Sequence, residues 1–144
     1  MKKKMSHYGF SFATLQKVAV KSGATFDGVG DSIAERKFWT ACRQSGLFML
    51  TLLVPQYEVK TDRYCYRLDF ALTMHKVGVE IDGMAYHSEQ STFINDRRRQ
   101  RALECDGWRI VRFAAKEVLD DPDRCVREFV TWLSAVALSK FGLD

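Results

Sequence analysis

The clearest hydrophobic pattern in the chain is the alternation in VGVEID, residues 77–82. Its three aliphatic residues alternate with a glycine and with the acids Glu80 and Asp82. A strand with this pattern places the aliphatic side chains on one face and both carboxylates on the other. Asp and Glu are depleted in strands, and like charges on one face repel each other. The pattern therefore predicts a strand, but it does not explain why this strand carries two carboxylates.

Similar patterns predict the elements on both sides of this strand. The apolar positions 126, 129, 130, 133, 136 and 137 repeat with helical spacing and predict an amphipathic helix near the C-terminus. The predicted elements are a helix over 31–46, an irregular edge strand over 47–59, a strand over 64–74, the strand over 77–82, a helix over 88–107, a strand over 108–113 and a helix over 121–142. This α-β-β-β-α-β-α order predicts an α/β fold in which helices flank a small mixed sheet.

Length and charge place few limits on the function. A chain of 144 residues is long enough for one domain with a proper core. Residues 1–30 are predicted to form an N-terminal extension with one short helix, and residues 31–144 the main domain. The formal net charge of +4 is compatible with a polyanionic partner without requiring one.

The four cysteines, at positions 42, 65, 105 and 125, are widely spaced and form no Cys-x-x-Cys pair. We therefore expect reduced thiols in a cytoplasmic protein and no structural zinc. No apolar segment follows the basic N-terminus, so no signal peptide is expected. No apolar run has the length that a membrane span requires, so no membrane partner is expected either.

Asp69 lies on the polar face of the strand predicted over 64–74. The opposite face is predicted to comprise Tyr64, Tyr66, Leu68, Phe70 and Leu72. If this strand neighbours the one that carries Glu80 and Asp82, the three carboxylates approach each other across the sheet. Close carboxylates do not all stay ionised without a compensating positive charge. Either a hard divalent cation such as Mg²⁺ or ion pairs with nearby arginines and lysines would supply that charge.

Glu35 and His87 each have a structural and a functional interpretation. Glu35 follows Ser32 by three residues, where a Glu side chain caps the start of a helix. Alternatively, the helix aims this carboxylate at the acidic site. His87 follows the strand over 77–82, where active-site groups often lie in α/β folds. It is either a structural or exposed histidine, or a proton acceptor for a metal-bound water.

The helix predicted over 88–107 combines an acid with a run of arginines. Residues three or four positions apart share one stripe, which here comprises Phe93, Asp96, Gln100 and Leu103. The remaining surface is predicted to carry Arg97, Arg98, Arg99 and Arg101. A guanidinium matches phosphate oxygens, so this surface suits a nucleic-acid backbone, while ion pairs with neighbouring acids are the alternative.

Together these residues occur in an order that resembles the PD-(D/E)XK nuclease superfamily, and within it the very-short-patch-repair (Vsr)-like endonucleases. The resemblance covers approximately residues 31–133 and rests on five segments. The segments are SIAERKFW with Glu35, RLDF with Asp69, VEIDGMAYH ending in His87, NDRRRQRALECDGWRIVRF with Asp96, and KEVL.

The resemblance implies a restriction-endonuclease-like fold and hydrolysis of DNA phosphodiester bonds with Mg²⁺, or with Mn²⁺ in its place. It implies that the metal is held by Asp69, by Glu80 and by the backbone carbonyl of Ile81. DNA is the implied partner of the arginine-rich helix.

The resemblance also implies roles for the other polar residues of these segments. His87 would be the base or the water-orienting group, with Asp96 as its partner. Glu35 and Asp82 would complete the acidic site. Tyr86 lies where the repair enzymes carry an intercalating aromatic wedge, and we expect it to contact DNA.

Three departures from the family pattern limit what is implied. Asp82 stands where the superfamily carries a lysine, so His87, Lys76 or Arg98 would have to supply the positive charge. Met84 stands where the repair enzymes carry a zinc-binding cysteine, and their wedge is reduced here. Nicking at T·G mismatches is therefore not implied.

Three functions remain open at this point. The leading hypothesis is a Mg²⁺-dependent DNA endonuclease. A non-catalytic DNA-binding module on a nuclease fold is the second, because the lysine is missing. An RNA-cleaving toxin or effector is the third, because nothing in the sequence separates ribose from deoxyribose targets.

Overall fold

The computed structural model describes residues 32–83 and 90–140. Its helices are α1 (Ile33–Gln44), α2 (Gln90–Cys105), α3 (Ala115–Asp120) and α4 (Pro122–Lys140), and Phe48–Leu52 and Thr73–His75 form short 3₁₀ helices. Its strands are β1 (Val54–Lys60), β2 (Cys65–Leu72), β3 (Val77–Asp82) and β4 (Arg109–Ala114). The predicted N-terminal extension over 1–30, with its short helix, lies outside the described residues.

The four strands form one sheet in the order β1-β2-β3-β4. β1 and β2 pair antiparallel, as do β2 and β3, whereas β3 and β4 are parallel and are joined through α2. This arrangement confirms the predicted mixed sheet. The edge strand predicted over 47–59 is right only from Val54 onwards, because residues 48–52 form a 3₁₀ helix. β2 ends at Leu72 and offers no partner for a longer strand.

Helices cover both faces of the sheet and divide the core into two clusters. The first cluster joins α1, α3 and α4 to the sheet and includes Phe38, Phe70, Val77, Val79, Ile81, Phe113, Val118, Phe129 and Leu133. The second cluster joins α2 to the other face and comprises Val59, Leu68, Ala71, Leu103 and Trp108. The aliphatic residues of β3 thus face the first cluster as predicted, and its acids point to the side of α2.

The regular alternation along β2 breaks at Asp69. Leu68 packs in the second cluster and Phe70 in the first, although residues two positions apart in a strand ordinarily share a face. Opposite Asp69 in the register of β1 and β2 lies Gln56, which has a left-handed backbone with a φ of 51°. The prediction that residues 64–72 present one apolar face is therefore wrong. At this irregularity the alternation shifts, so residues before and after it that were expected on one face lie on opposite faces of the sheet.

The end of α2 leads the chain directly into β4. The Gly107 amide donates to the carbonyl of Glu104 at 3.0 Å, and the Trp108 amide donates to the carbonyl of Leu103 at 2.9 Å. Gly107 has a φ of 86°, which this helix ending requires and which glycine adopts without steric penalty. Leu103 and Trp108 are both buried in the second cluster, so the turn also closes the core.

The segment after β4 forms two helices where one was predicted. The short helix α3 comes first, and Asp121 interrupts the helical backbone before α4 begins at Pro122. The predicted apolar stripe of α4 is confirmed at Val126, Phe129, Leu133 and Val136, which are buried, and position 137 lies outside the residues whose side chains the structure describes. The predicted order of elements is confirmed with this one added helix.

All four cysteines are free thiols, as expected. Cys42 and Cys125 are buried in the first cluster, whereas Cys65 and Cys105 are exposed. Burial raises the pKa of the Cys42 thiol to about 12, so this residue behaves as a small apolar group. Within residues 32–83 and 90–140, none of the helices is long and apolar enough to span a bilayer.

We predict that Gly78→Ala destabilises the fold. A Cβ atom at this position would lie 2.7 Å from Cδ1 of Ile110 and 2.8 Å from Cδ1 of Leu68, which is fully buried. Overpacking of this kind lowers the free energy of unfolding by about 1–3 kcal/mol. Urea denaturation measures it, with Gly83→Ala as the control, because no atom of the described residues lies within 4 Å of a Cβ built there. Equal stability of the two variants would contradict the close packing at Gly78.

Candidate active site

The site is organised around the point where β2 leaves β3. The paired residues of these strands run from Leu72 and Val77 to Phe70 and Val79, and no pair follows. The next amide of β3 on this side, that of Ile81, donates instead to Oδ2 of Asp69 at 2.8 Å. A buried backbone amide needs a hydrogen-bond partner, and here a carboxylate provides it. This separation of β2 from β3, called the fork below, therefore fixes the Asp69 carboxylate beside the end of β3.

Asp69 and Asp82 are half-buried acids whose ionisation the site disfavours. Burial raises the pKa of Asp69, the hydrogen bond from Ile81 lowers it, and the charges of Glu80 and Asp82 raise it further. Burial also raises the pKa of Asp82, against the charge of Arg112, with Glu80 adding to the increase. Asp82 makes no hydrogen bond or ion pair with any residue of the described ranges. The two acids are therefore short of compensating positive charge.

Glu80 differs from these acids because two arginines neutralise it. Its side chain is buried, with the residue only 7% exposed. Arg99 of α2 donates from Nη2 to Oε1 of Glu80, and Nη2 of Arg112 lies 3.4 Å from Oε2. Arg112 is the residue of β4 that pairs with Glu80 in the parallel register. One carboxylate thus joins α2, β3 and β4 on the face that α2 covers.

Asp96 extends these ion pairs along α2. Its Oδ2 lies 3.4 Å from Nη1 of Arg112 and 3.3 Å from Nη2 of Arg97. Arg112 consequently bridges Glu80 and Asp96, which lie on different elements. The prediction that Asp96 faces the site is compatible with this position, and its partnership with His87 stays a prediction.

The arginines of α2 divide between the site and the outer surface. Arg97, Arg98 and Arg101 are exposed, as predicted for a nucleic-acid surface. Arg99 points inward to Glu80, and Phe93 is 54% exposed. The prediction that Arg99 lies on the outer surface with the other three arginines was therefore wrong. The contacts with Glu80 and with the second cluster direct the helix so that residues 96, 99, 100 and 103 face the sheet.

Glu35 begins α1 beside Gln56 of β1. Its amide donates to the Ser32 hydroxyl at 3.4 Å, so Ser32 caps the helix, whereas the cap predicted from the Glu35 side chain is a different hydrogen bond and stays a prediction. Its carboxylate accepts a hydrogen bond from Nε2 of Gln56 at 3.0 Å. Because Gln56 lies opposite Asp69 in the strand register, Glu35 is connected to the strand pair at the fork.

Some of the predicted residues either lie away from the site or fall outside the described residues. His87 and Tyr86 lie outside the described residues. Lys76 precedes β3, about 20 Å from Asp82 along the strand at its usual rise, and donates to the carbonyl of Asp106 at 2.7 Å. Arg98 is exposed on α2. Among the residues that the structure describes, no group of three or more His, Cys, Asp or Glu is arranged to hold a metal ion.

Sequence reasoning missed three participants, namely Gln56, Arg99 as an inward residue, and Arg112. Arg112 could have been found, because a parallel crossover from β3 to β4 brings Glu80 and Arg112 into register. Arg99 lies three positions after Asp96 and four before Leu103, so it fits the inward stripe equally well. Gln56 carried no signal, since a left-handed glutamine within a strand has no sequence pattern.

Comparison with known proteins agrees with this fold. The model of the family REase_MTES_1575 matches residues 51–133, more than half of the chain. The chain is similar in structure to "Homing Endonuclease I-Bth0305I Catalytic Domain", with a TM-score of 0.56 and 18% sequence identity over 74% of this chain and 98% of that one. At this identity the similarity concerns the fold, and it confirms the predicted α/β class. No curated protein matches the chain.

We predict that Glu80→Ala lowers the free energy of unfolding by about 3 kcal/mol, because removal of one partner leaves a partly buried positive charge unpaired. Urea denaturation measures the loss. Glu128→Ala is the matched control, since it removes an exposed ion pair with Arg124 and should change stability by less than about 1 kcal/mol. A similar loss in both variants would show that burial of the Glu80 ion pairs adds nothing to the stability of the fold.

We predict that Asp82→Asn raises the free energy of unfolding at pH 7 in metal-free buffer. The folded protein raises the pKa of Asp82, so ionisation destabilises the native state, and the asparagine variant avoids this. The difference from the wild type should shrink as the pH falls through the raised pKa, because the acid is then neutral. Denaturation between pH 4 and pH 8 measures it, and a difference that grows towards low pH would contradict it.

Proposed function

Because the chain belongs to REase_MTES_1575, a restriction-endonuclease-like family, we propose that it is a Mg²⁺-dependent endonuclease that hydrolyses DNA phosphodiester bonds. The family and the fold support a nuclease. Metal dependence and the DNA substrate are parts of our proposal, as is the finer Vsr-like relationship.

One observation carries the proposal. The Asp69 carboxylate is fixed by the Ile81 amide at the fork between β2 and β3, beside Glu80 and Asp82. A fold has no packing reason to gather three acids at one strand end, since each raises the electrostatic energy of the others. The binding of a divalent cation would explain why these three acids lie together.

The oxygen atoms present fit Mg²⁺, which prefers a few carboxylates and keeps several waters. Asp69 and Asp82 are half-buried and make no ion pair with a described residue. The Ile81 carbonyl points to the same side of β3 as the Ile81 amide, which faces Asp69. We therefore assign the metal to Asp69, Asp82 and this carbonyl. Glu80, which the family resemblance implied as a ligand, would first have to lose one of its arginine partners.

When bound, the metal would acidify a water molecule and offset charge on the phosphate. Asp69 would hold its position through the Ile81 amide throughout the reaction. His87, five residues after β3, is proposed to accept the proton of the attacking water, and Asp96 to orient it. Glu35 would complete the acidic site, with Gln56 fixing its carboxylate.

The exposed arginines of α2 are proposed to contact the DNA backbone. Arg97, Arg98 and Arg101 lie on the solvent side of the helix whose inner side carries Arg99. The Arg97 guanidinium also lies 5.0 Å from the centre of the exposed Phe93 ring. Arginine binds phosphate oxygens through its planar fork, so this surface would hold a duplex next to the acids.

We predict that the purified protein nicks supercoiled plasmid with Mg²⁺ and not with EDTA. Asp69→Asn and His87→Ala should each reduce the initial rate at least about 100-fold, because they remove a metal ligand and a base. Gel electrophoresis of the plasmid forms measures the rate, and a matched RNA substrate tests the choice of sugar.

Asp62→Asn is the control for this experiment. It makes the same change at an exposed acid in the turn between β1 and β2, and it should leave the rate unchanged. Nicking that survives both active-site substitutions would exclude this site. DNA binding without any metal-dependent turnover would favour the non-catalytic module, and faster cleavage of RNA would favour a ribonuclease.

A further inference from the structure

The proposed site has an electrostatic problem that the acids alone do not solve. The charges of neighbouring acids, among them Glu80 and Asp96, raise the pKa values of Asp69 and Asp82. A phosphodiester substrate is itself an anion. A divalent cation would offset Asp69 and Asp82, and arginines already pair with Glu80 and Asp96, but these charges leave nothing to balance the phosphate. A protein cation with donors directed at the substrate would therefore be expected in the same place.

Arg99 meets this requirement better than the other described cations. Its Nη2 donates to Glu80 and, at 3.1 Å, to the carbonyl of Arg67 in β2. Its guanidinium lies 5.7 Å from the centre of the Tyr66 ring. Neither Nη1 nor Nε hydrogen-bonds with any residue of the described ranges, and the side chain remains 19% exposed. One edge of the guanidinium is thus anchored, and the other has donors to spare.

The charge of Arg99 is secured by its neighbours. Burial lowers its pKa, but the hydrogen bond and charge of Glu80, with the charges of Asp96 and Asp69, raise it above its ordinary value. The same carboxylates place the guanidinium in the electric field of the acidic site. Lys76 and the exposed Arg98 have no comparable contact with Asp69 or Glu80.

Arg112 completes the anchor on the other side of Glu80. Its Nη2 is buried and lies 3.4 Å from Oε2, although it makes no hydrogen bond of good geometry to a described residue. Arg112 also contacts Asp96 through Nη1. Because this guanidinium is held between two acids and its Nη2 is covered, it fixes Glu80 and is not itself directed at a ligand.

We propose that Arg99 is a catalytic residue that binds the phosphate being hydrolysed, and that Glu80 is a positioning residue that holds Arg99 in place with the help of Arg112. This inference rests on the proposed nuclease function and assigns a part of its substrate contact. It also gives Glu80 a role in the site other than metal binding.

The test compares Arg99→Gln, Arg99→Lys, Glu80→Gln and the double variant Glu80→Gln/Arg99→Gln with the wild type. Arg127→Gln is the control, because Arg127 is exposed on α4, on the opposite side of the sheet. Three quantities are measured: the salt dependence of duplex binding in EDTA, Mn²⁺ affinity by calorimetry, and single-turnover nicking at saturating DNA. Urea denaturation confirms that each variant is folded under the assay conditions.

Arg99→Gln should reduce the salt-dependence slope of duplex binding by about 0.9, which is the loss of one phosphate contact. It should reduce the nicking rate at least about 100-fold, as expected for the loss of one aligned donor. Arg99→Lys keeps the charge without the planar fork and should recover part of the rate. An unchanged slope and rate for Arg99→Gln would overturn the assignment.

Glu80→Gln should reduce the nicking rate while its Mn²⁺ affinity stays within about threefold of the wild type. The double variant should be no slower than Arg99→Gln alone, since both changes remove the same contact. A loss of Mn²⁺ affinity of about tenfold or more in Glu80→Gln would make Glu80 a metal ligand and overturn its positioning role.

The failure of this inference differs from a failure of the proposed function. If the wild type never nicks, the endonuclease proposal falls, and the salt dependence still decides whether Arg99 contacts phosphate. If the wild type nicks and Arg99→Gln nicks equally fast, the endonuclease proposal stands and the role of Arg99 is excluded.

Discussion

The hydrogen bond from the Ile81 amide to Asp69 is the contact on which the candidate site depends. It exists because the pairing of β2 with β3 ends at Phe70 and Val79 and leaves the next amide of β3 on that side without a strand partner. A buried amide has to be satisfied, so the carboxylate is fixed by a requirement of the backbone as well as by any ligand. The irregularity that exchanges the faces of β1 and β2 occurs at the same place, opposite Gln56. The same irregular strand pairing therefore shapes this part of the sheet and positions the candidate site.

A second constraint is the uneven distribution of positive charge among the acids. Glu80 is the most buried acid of the site and has two arginine partners, whereas Asp69 and Asp82 have raised pKa values because burial outweighs their compensation. A paired acid is suited to hold other groups, and an undercompensated acid is suited to bind a cation. The same strand end thus supplies two kinds of carboxylate that composition alone would treat as equivalent. Helix α2 serves both, because its inward face carries Leu103 into the core and Arg99 into the site.

The fold could be predicted from the sequence to a large extent, since it follows from local patterns. Alternation in β3, the apolar stripe of α4 and the glycine ending of α2 each fix an element within a few residues. The order of elements then limits the topology, because a helix between two strands favours a parallel crossover. The sequence predictions that were wrong concern features that depend on contacts with residues distant in the chain. The 3₁₀ helix at residues 48–52 replaces a strand because β2 has already ended there.

By itself the sequence determined the α/β class, the elements and the set of acids that includes Asp69, Glu80 and Asp82. Only the tertiary structure decided which acids are paired and which arginine turns inward. The physical reason is that pairing depends on the rotation of α2 about its axis and on the register of β3 with β4. Both are set by packing between elements that are distant in the sequence. Spacing along one helix cannot separate Arg98 from Arg99, whereas the surface against which that helix packs does so at once.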